Sequence, residues 1–138
     1  SRPTSFVIAL CYIVVTRDAR AEADGPRRHA NPRGNRMIIF AVFNLKPGVS
    51  VEEYEAWARE TDLPTANSLK SIDSFRVYRS TSVLGSDEKP PFGYIEVLDV
   101  NDMEQFAADA QSEIMQEVAS TFQGMVDVTF VMTEELVA

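Results

Sequence analysis

At 138 residues, 45% hydrophobic and 25% charged, the chain has the length and balance of one ordinary globular domain. A single cysteine, Cys11, cannot close an internal bridge, so a disulfide scaffold is excluded, and no run approaches the roughly 18–20 apolar residues of a membrane span. Residues 1–36 carry seven arginines against three acids (net +4), whereas residues 37–138 carry six basic against 18 acidic groups (net −12). A body this acidic repels a phosphate backbone, which argues against nucleic acid as a partner.

The first 36 residues read differently from the rest. Phe6–Val15, "FVIALCYIVV", is an apolar run, and the stretch after it is rich in Arg, Ala, Gly and Pro without periodicity. One reading is a secretory signal, with Arg2 as the basic head and Ala19-Arg20-Ala21 as the cleavage site. The preferred reading is translated upstream sequence, because a domain-like pattern begins at once at Met37, the first methionine. A third is an extra strand over Phe6–Val15. The expected division is therefore an extension over 1–36 and one domain over 37–138, cytoplasmic unless the extension is a genuine export signal. His29, the only histidine, lies in the extension and is left out of any site.

Met37–Lys46, "MIIFAVFNLK", rich in Ile, Val and Phe and closed by Pro47-Gly48, predicts a buried strand and a turn. "SVEE" opens a helix, with Ser50 as N-cap and Glu53 completing a capping box. Val51, Tyr54, Trp57, Ala58 and Thr61 share one stripe, and Pro64 is expected to end or kink this helix near Leu63. Ser74–Ser80 alternates Phe75, Val77 and Arg79 on one face with Arg76 and Tyr78 on the other, as a half-buried strand does. Gly85–Gly93 reads as a loop and Tyr94–Val100 as the third strand. Asp102 and Gln105 open a second helix with a buried stripe of Met103, Phe106, Ala107, Ala110, Ile114, Val118 and Phe122, stopped at Gly124. Met125–Thr133 is the last strand. This βαββαβ order predicts an α+β fold with a four-stranded antiparallel sheet and both helices on one face. The other face, rich in Val, Ile and Phe, is expected to pair with a second copy of the chain as a symmetric homodimer.

The segments "MIIFAVFNLKPGVSVEEYEAWARETDLPTANSLKSIDSFRVYRS", "PPFGYIEVLDVNDMEQF" and "VDVTFVMTEEL" resemble the RedY-like/HapK family, which belongs to the ferredoxin-like domains of the dimeric α+β barrel superfamily. The resemblance spans about residues 37–138. It implies a role in bacterial secondary metabolism beside prodiginine-type pigment assembly, where some relatives act as dehydrating cyclases or condensing enzymes on indolic or pyrrolic intermediates. Related barrels include cofactor-free monooxygenases and haem-degrading enzymes. Many superfamily members carry a His near the end of the first helix; here that stretch reads "ETDLP", which speaks against a His-dependent mechanism and leaves Asp62 as the nearest titratable group.

Residues 37–138 contain neither His nor Cys, so the usual zinc sites, haem ligation by these residues and Ser-His or Cys-His nucleophiles lack their ligands or base. Neither GxGxxG nor a Walker pattern is present, and no cofactor or metal is expected. What remains is carboxylate, phenol and guanidinium chemistry. Asp62, at the end of the first helix, is a candidate acid or base if aromatic walls raise its pKa, or else a solvated helix-end acid. Glu96, in mid-strand, needs a partner that Arg76 or Arg79 can supply; it is either catalytic or one half of a structural ion pair. Tyr78 is the third catalytic candidate. Asn44, Trp57, Arg76, Arg79 and Tyr94 are the candidates for holding a small aromatic or heteroaromatic ligand, each against a plainer packing role. The acid run Glu52, Glu53 and Glu55 reads as a solvated helix face. One ambiguity remains open: if Arg76 and Tyr78 face the helices they line a pocket with Asp62, and if Arg79 does, they lie in the expected dimer interface.

Overall fold

The computed structural model describes residues 36–138; the expected extension over 1–36, its signal-like features and the strand over Phe6–Val15 fall outside the described residues, apart from Arg36. Strand β1 (Met37–Leu45) runs through the centre of the sheet and buries Ile39, Ala41 and Phe43 on one side. It turns at Pro47-Gly48, where Gly48 takes a φ of 90° that a side chain would strain. Helix α1 (Val51–Trp57) starts as its capping sequence predicts: Ser50 Oγ accepts from the Glu53 backbone N–H at 3.0 Å.

The helical path does not end near Leu63. It widens into a π-helical turn over Ala58–Asp62 and continues as α2 (Leu63–Asn67). Pro64 lies in the first turn of α2, where its missing N–H follows a turn already opened by one extra residue, so the break expected there becomes a bulge. Asn67 then ties the helix end to the next strand, accepting from the Phe75 N–H at 2.9 Å and donating to the Phe75 carbonyl at 3.1 Å.

Strand β2 (Ile72–Arg79) starts two residues earlier than predicted, through an irregularity between Ile72 and Ser74. Strand β3 (Tyr94–Val100) matches its predicted span. The second predicted helix is two: α3 (Met103–Ala110), capped by Asp102, and α4 (Glu113–Met125), whose N-cap Ser112 accepts from the Met115 N–H at 3.3 Å. Ser112 restarts the helix by offering a local partner to its free N–H groups. Ile114, expected to be buried, falls in that first turn and is 56% exposed. Gly124 does not stop α4, which runs to Met125 and passes directly into β4 (Val126–Met132).

The sheet order is β2-β3-β1-β4, every neighbouring pair antiparallel. This is the α+β, ferredoxin-like βαββαβ fold read from the sequence. Two clusters fill the layer between sheet and helices: an aliphatic-rich one around Ile39, Ile72, Val100, Met103 and Phe106, and an aromatic one around Phe43, Tyr54, Tyr94 and Phe122. The opposite sheet face presents Ile38, Phe40, Val42, Ile95, Val97 and Val131, none of them fully buried. Among the described residues no helix is long and apolar enough to cross a membrane.

Candidate functional site

The pleat decides the face question. Val77 opposes Glu96, which opposes Ala41, and Arg79 opposes Tyr94, which opposes Phe43; Glu96, Ala41, Tyr94 and Phe43 are all buried toward the helices. Arg79 therefore lies on the helix side. Arg76 and Tyr78 lie on the opposite face, and Tyr78 is 49% exposed.

Between α1 and the β2–β3 pair opens a cleft of about 170 Å³, lined by Tyr54, Glu55, Ala58, Arg59, Leu63, Val77, Arg79 and Tyr94. Its aromatic wall is compact. Phe43 stacks on Tyr94 at 5.3 Å between ring centroids, and Tyr54 meets Tyr94 edge-on at 4.9 Å. Glu55 sits at the rim with its side chain only 12% exposed, and every acceptor direction is taken. Arg79 donates to it through Nε and Nη2, both at 2.7 Å, Arg59 donates at 3.1 Å, and the Tyr94 hydroxyl donates at 2.8 Å. Donation by Arg79 holds the Glu55 carboxyl down to about 2, and burial followed by the bond to Glu55 lifts the Tyr94 phenol to about 12.

Behind this cleft lie two buried carboxyl groups. Asp62 is 6% and Glu96 3% exposed. Tyr54, Ala58 and Asp62 follow one another on the buried side of the helical segment, and Glu96 is the cross-strand partner of the cleft-lining Val77. Among the described residues no cation neutralises Glu96: Arg79 is committed to Glu55, and Arg76 is on the other face. Among the described residues neither Glu96 Oε2 nor the Tyr54 hydroxyl has a hydrogen-bond partner. The two are nevertheless near enough that the phenol partly offsets the upward shift of Glu96. Burial pushes Asp62 up to about 7, and burial together with the Asp62 charge pushes Glu96 well above the usual carboxylate range. Burial, then the charges of Glu96 and Asp62, raises the Tyr54 phenol as well. Both carboxyl groups therefore hold their protons more tightly than a solvated carboxyl does.

Of the candidates read from sequence, Arg79 and Tyr94 line the cleft, and Asp62 and Glu96 are buried behind it. Trp57 stands beside them, half-buried and stacked on Phe122 at 6.3 Å, without lining the cleft. Asn44 is exposed at the end of β1, where it accepts from the Gly93 N–H at 2.8 Å and donates to the Pro91 carbonyl at 3.3 Å, pinning the loop before β3. Tyr54, Glu55 and Arg59 are site residues that sequence reasoning missed. Glu55 is no solvated member of an acid run; its spacing of four from Arg59 was the available signal.

The family described as REDY-like protein HapK matches residues 37–136. No curated protein matches the chain in sequence. Among solved structures, HapK from Hahella chejuensis is 23% identical, with a TM-score of 0.60 over 74% of this chain and 94% of its own. SnoaB, a cofactor-independent oxygenase from Streptomyces nogalater, is 10% identical, with a TM-score of 0.58 over 76% of this chain and 97% of its own. A dimeric ferredoxin-like protein of unknown function from Thermobifida fusca is 15% identical, with a TM-score of 0.52 over 71% of this chain and 89% of its own. At these identities the structural likenesses speak for the fold.

Proposed function

Because the chain belongs to the REDY-like HapK family, we propose that residues 37–138 form a cofactor-independent acid–base enzyme of secondary metabolism, a cyclase or dehydratase for indolic or pyrrolic pigment-type intermediates. The observation that carries this reading is the Asp62–Glu96 pair, more than nine-tenths buried, without a counter-cation among the described residues and set behind an aromatic-walled cleft. In a dehydrative ring closure the ionised carboxylate of the pair takes the proton lost from the substrate. The protonated partner gives its proton to the departing hydroxyl, which leaves as water. A proton shift within the pair restores the starting state. No electrons are transferred, so the step consumes no redox partner. Tyr54, which lines the cleft and faces the pair, relays protons between them, and Tyr94 and Arg79 border the bound ring system.

Turnover of indolic and pyrrolic candidates by purified Asp62→Asn and Glu96→Gln variants tests the assignment. Activity is expected to fall about 10²–10⁴-fold in each while the melting transition persists. Full activity in both overturns it. Saturable binding with no conversion by the wild type would instead mark a non-catalytic carrier of a pathway intermediate, and oxygen uptake with a phenolic substrate would mark a cofactor-free monooxygenase.

The same reading includes a cytoplasmic homodimer, with residues 1–36 as a separate extension. Ile38, Phe40, Val42, Ile95, Val97 and Val131 leave one side of the sheet oily, and a second copy packed face to face closes an eight-stranded barrel. Sedimentation is expected to find a dimer for the wild type and a folded monomer for Phe40→Asp; a wild-type monomer rules the pairing out.

A further inference from the structure

Residues 37–138 carry only six basic side chains against 18 acids, yet two of the six, Arg59 and Arg79, stand at the rim of one cleft. Glu55 is the sole acid among the cleft-lining residues, so the rim carries one positive charge in excess. A structural tie between α1 and β2 needs only Arg79, which already grips Glu55 with two nitrogens. Arg59 adds a single further bond to a carboxylate that also receives the Tyr94 hydroxyl, and so is saturated. Of the five N–H donors on each guanidinium, Arg79 spends two nitrogens and Arg59 one. The rest reach solvent, since the two side chains are 56% and 67% exposed. Just inside the rim the lining turns apolar and aromatic, with Ala58, Leu63, Val77 and the Tyr54 ring.

We propose that this rim is an anion-recognition subsite: Arg59 and Arg79 together hold a carboxylate, or a group of like charge and shape, on a ligand whose flat aromatic body enters the cleft. The inference rests on the reading of this cleft as the small-molecule site and adds the ligand's charge to it. Glu55 fixes the two guanidinium groups beforehand, so the ligand meets donors already in place and loses little freedom in ordering them. The same carboxylate keeps the rim from being a general sink for anions, because only one positive charge is left to satisfy. A neutral ligand of identical shape forfeits that interaction and leaves the donors to water.

Calorimetric titration of the full chain with 2-naphthoate and with 2-naphthamide, nearly isosteric probes differing in charge, tests this directly. The naphthoate is expected to bind at least about tenfold more tightly, as a charge-assisted contact over a neutral one predicts. Arg59→Gln, a change at an exposed position, and Arg79→Gln are each expected to lower naphthoate affinity about fivefold or more and to leave naphthamide affinity within about twofold. Equal affinities, preference for the amide, absence of saturable naphthoate binding, or Arg59→Gln binding both probes as the wild type does each overturns the proposal. Asp62→Asn separates this inference from the acid–base reading. It removes one of the two buried carboxyl groups and keeps both arginines, so the naphthoate preference persists there whether or not turnover is ever found.

Discussion

The layer between sheet and helices has two halves that rest on the same four strands and are filled with different chemistry. In the half around Ile39, Val100, Met103, Phe106 and Ala110, apolar side chains meet one another. In the half around Phe43, Tyr54, Tyr94 and Phe122, four aromatic rings interlock, and the Tyr54 hydroxyl and Glu96 Oε2 are buried without hydrogen bonds. The first half gains stability from every contact. The second gives some up, because a buried polar group without a partner costs on the order of 1–3 kcal/mol. Such a cost is tolerated where the groups act on something other than the fold.

The sharpest way to break this comparison is to truncate a side chain in its aliphatic half. Met103 is 2% exposed, and Met103→Ala is expected to remove about 2–5 kcal/mol from the unfolding free energy in a denaturant titration. An effect below about 1 kcal/mol would mean that the aliphatic half is not the stable one.

Next in size is the response to pH. Asp62, raised to about 7 by burial, binds its proton more tightly in the folded than in the unfolded chain. That contribution is fully present below the unfolded pKa and is lost as pH rises through about 7, so stability falls from pH 5 to pH 8 by about 1–3 kcal/mol. Glu55, held at about 2, acts oppositely and costs stability only as pH falls below its unfolded value. Glu96, raised in the same sense chiefly by its own burial, adds to this limb, so Asp62→Asn is expected to shrink it without abolishing it and to melt at a higher temperature than the wild type at pH 8; an unchanged limb would assign the titration to Glu96 alone.

The smallest effect belongs to Tyr54→Phe. The ring stays and an unpartnered hydroxyl goes, so stability is expected to shift by less than about 1 kcal/mol, with gain as acceptable as loss, while turnover falls. A loss of about 2 kcal/mol or more would show that the hydroxyl is bonded in solution.

The sequence made the strands and helix starts legible because they rest on local signals. These are the apolar run of β1, the Ser50–Glu53 and Asp102–Gln105 caps, and the alternation in β2. It also marked Asp62 and Glu96 as unusual carboxylates. What it concealed was geometry set by single residues. A π-helical turn has no periodic signature of its own, so nothing announced that Asp62 turns inward rather than ending a helix in solvent. Pro64 looked like a stop because the widened turn preceding it was invisible. The two faces of β2 were written in the alternation, and Phe75 and Val77, the apolar pair, mark the one that meets the helices. Arg79 shares their side. Glu55 was hidden among neighbouring acids, its partners lying on β2 and β3 as well as one helical turn away.

The widened turn over Ala58–Asp62 amounts to one residue more than a regular helix of the same length would hold. Excising one residue within it would let the regular helical ladder close without interruption. Seven α-helical steps of about 100° come within about 20° of two full turns, so Tyr54 and Asp62 would still share the inward side after the cut. Eight such steps overshoot by about 80°, so it is the widened turn, by taking up one residue, that lets acid and phenol meet at their present spacing.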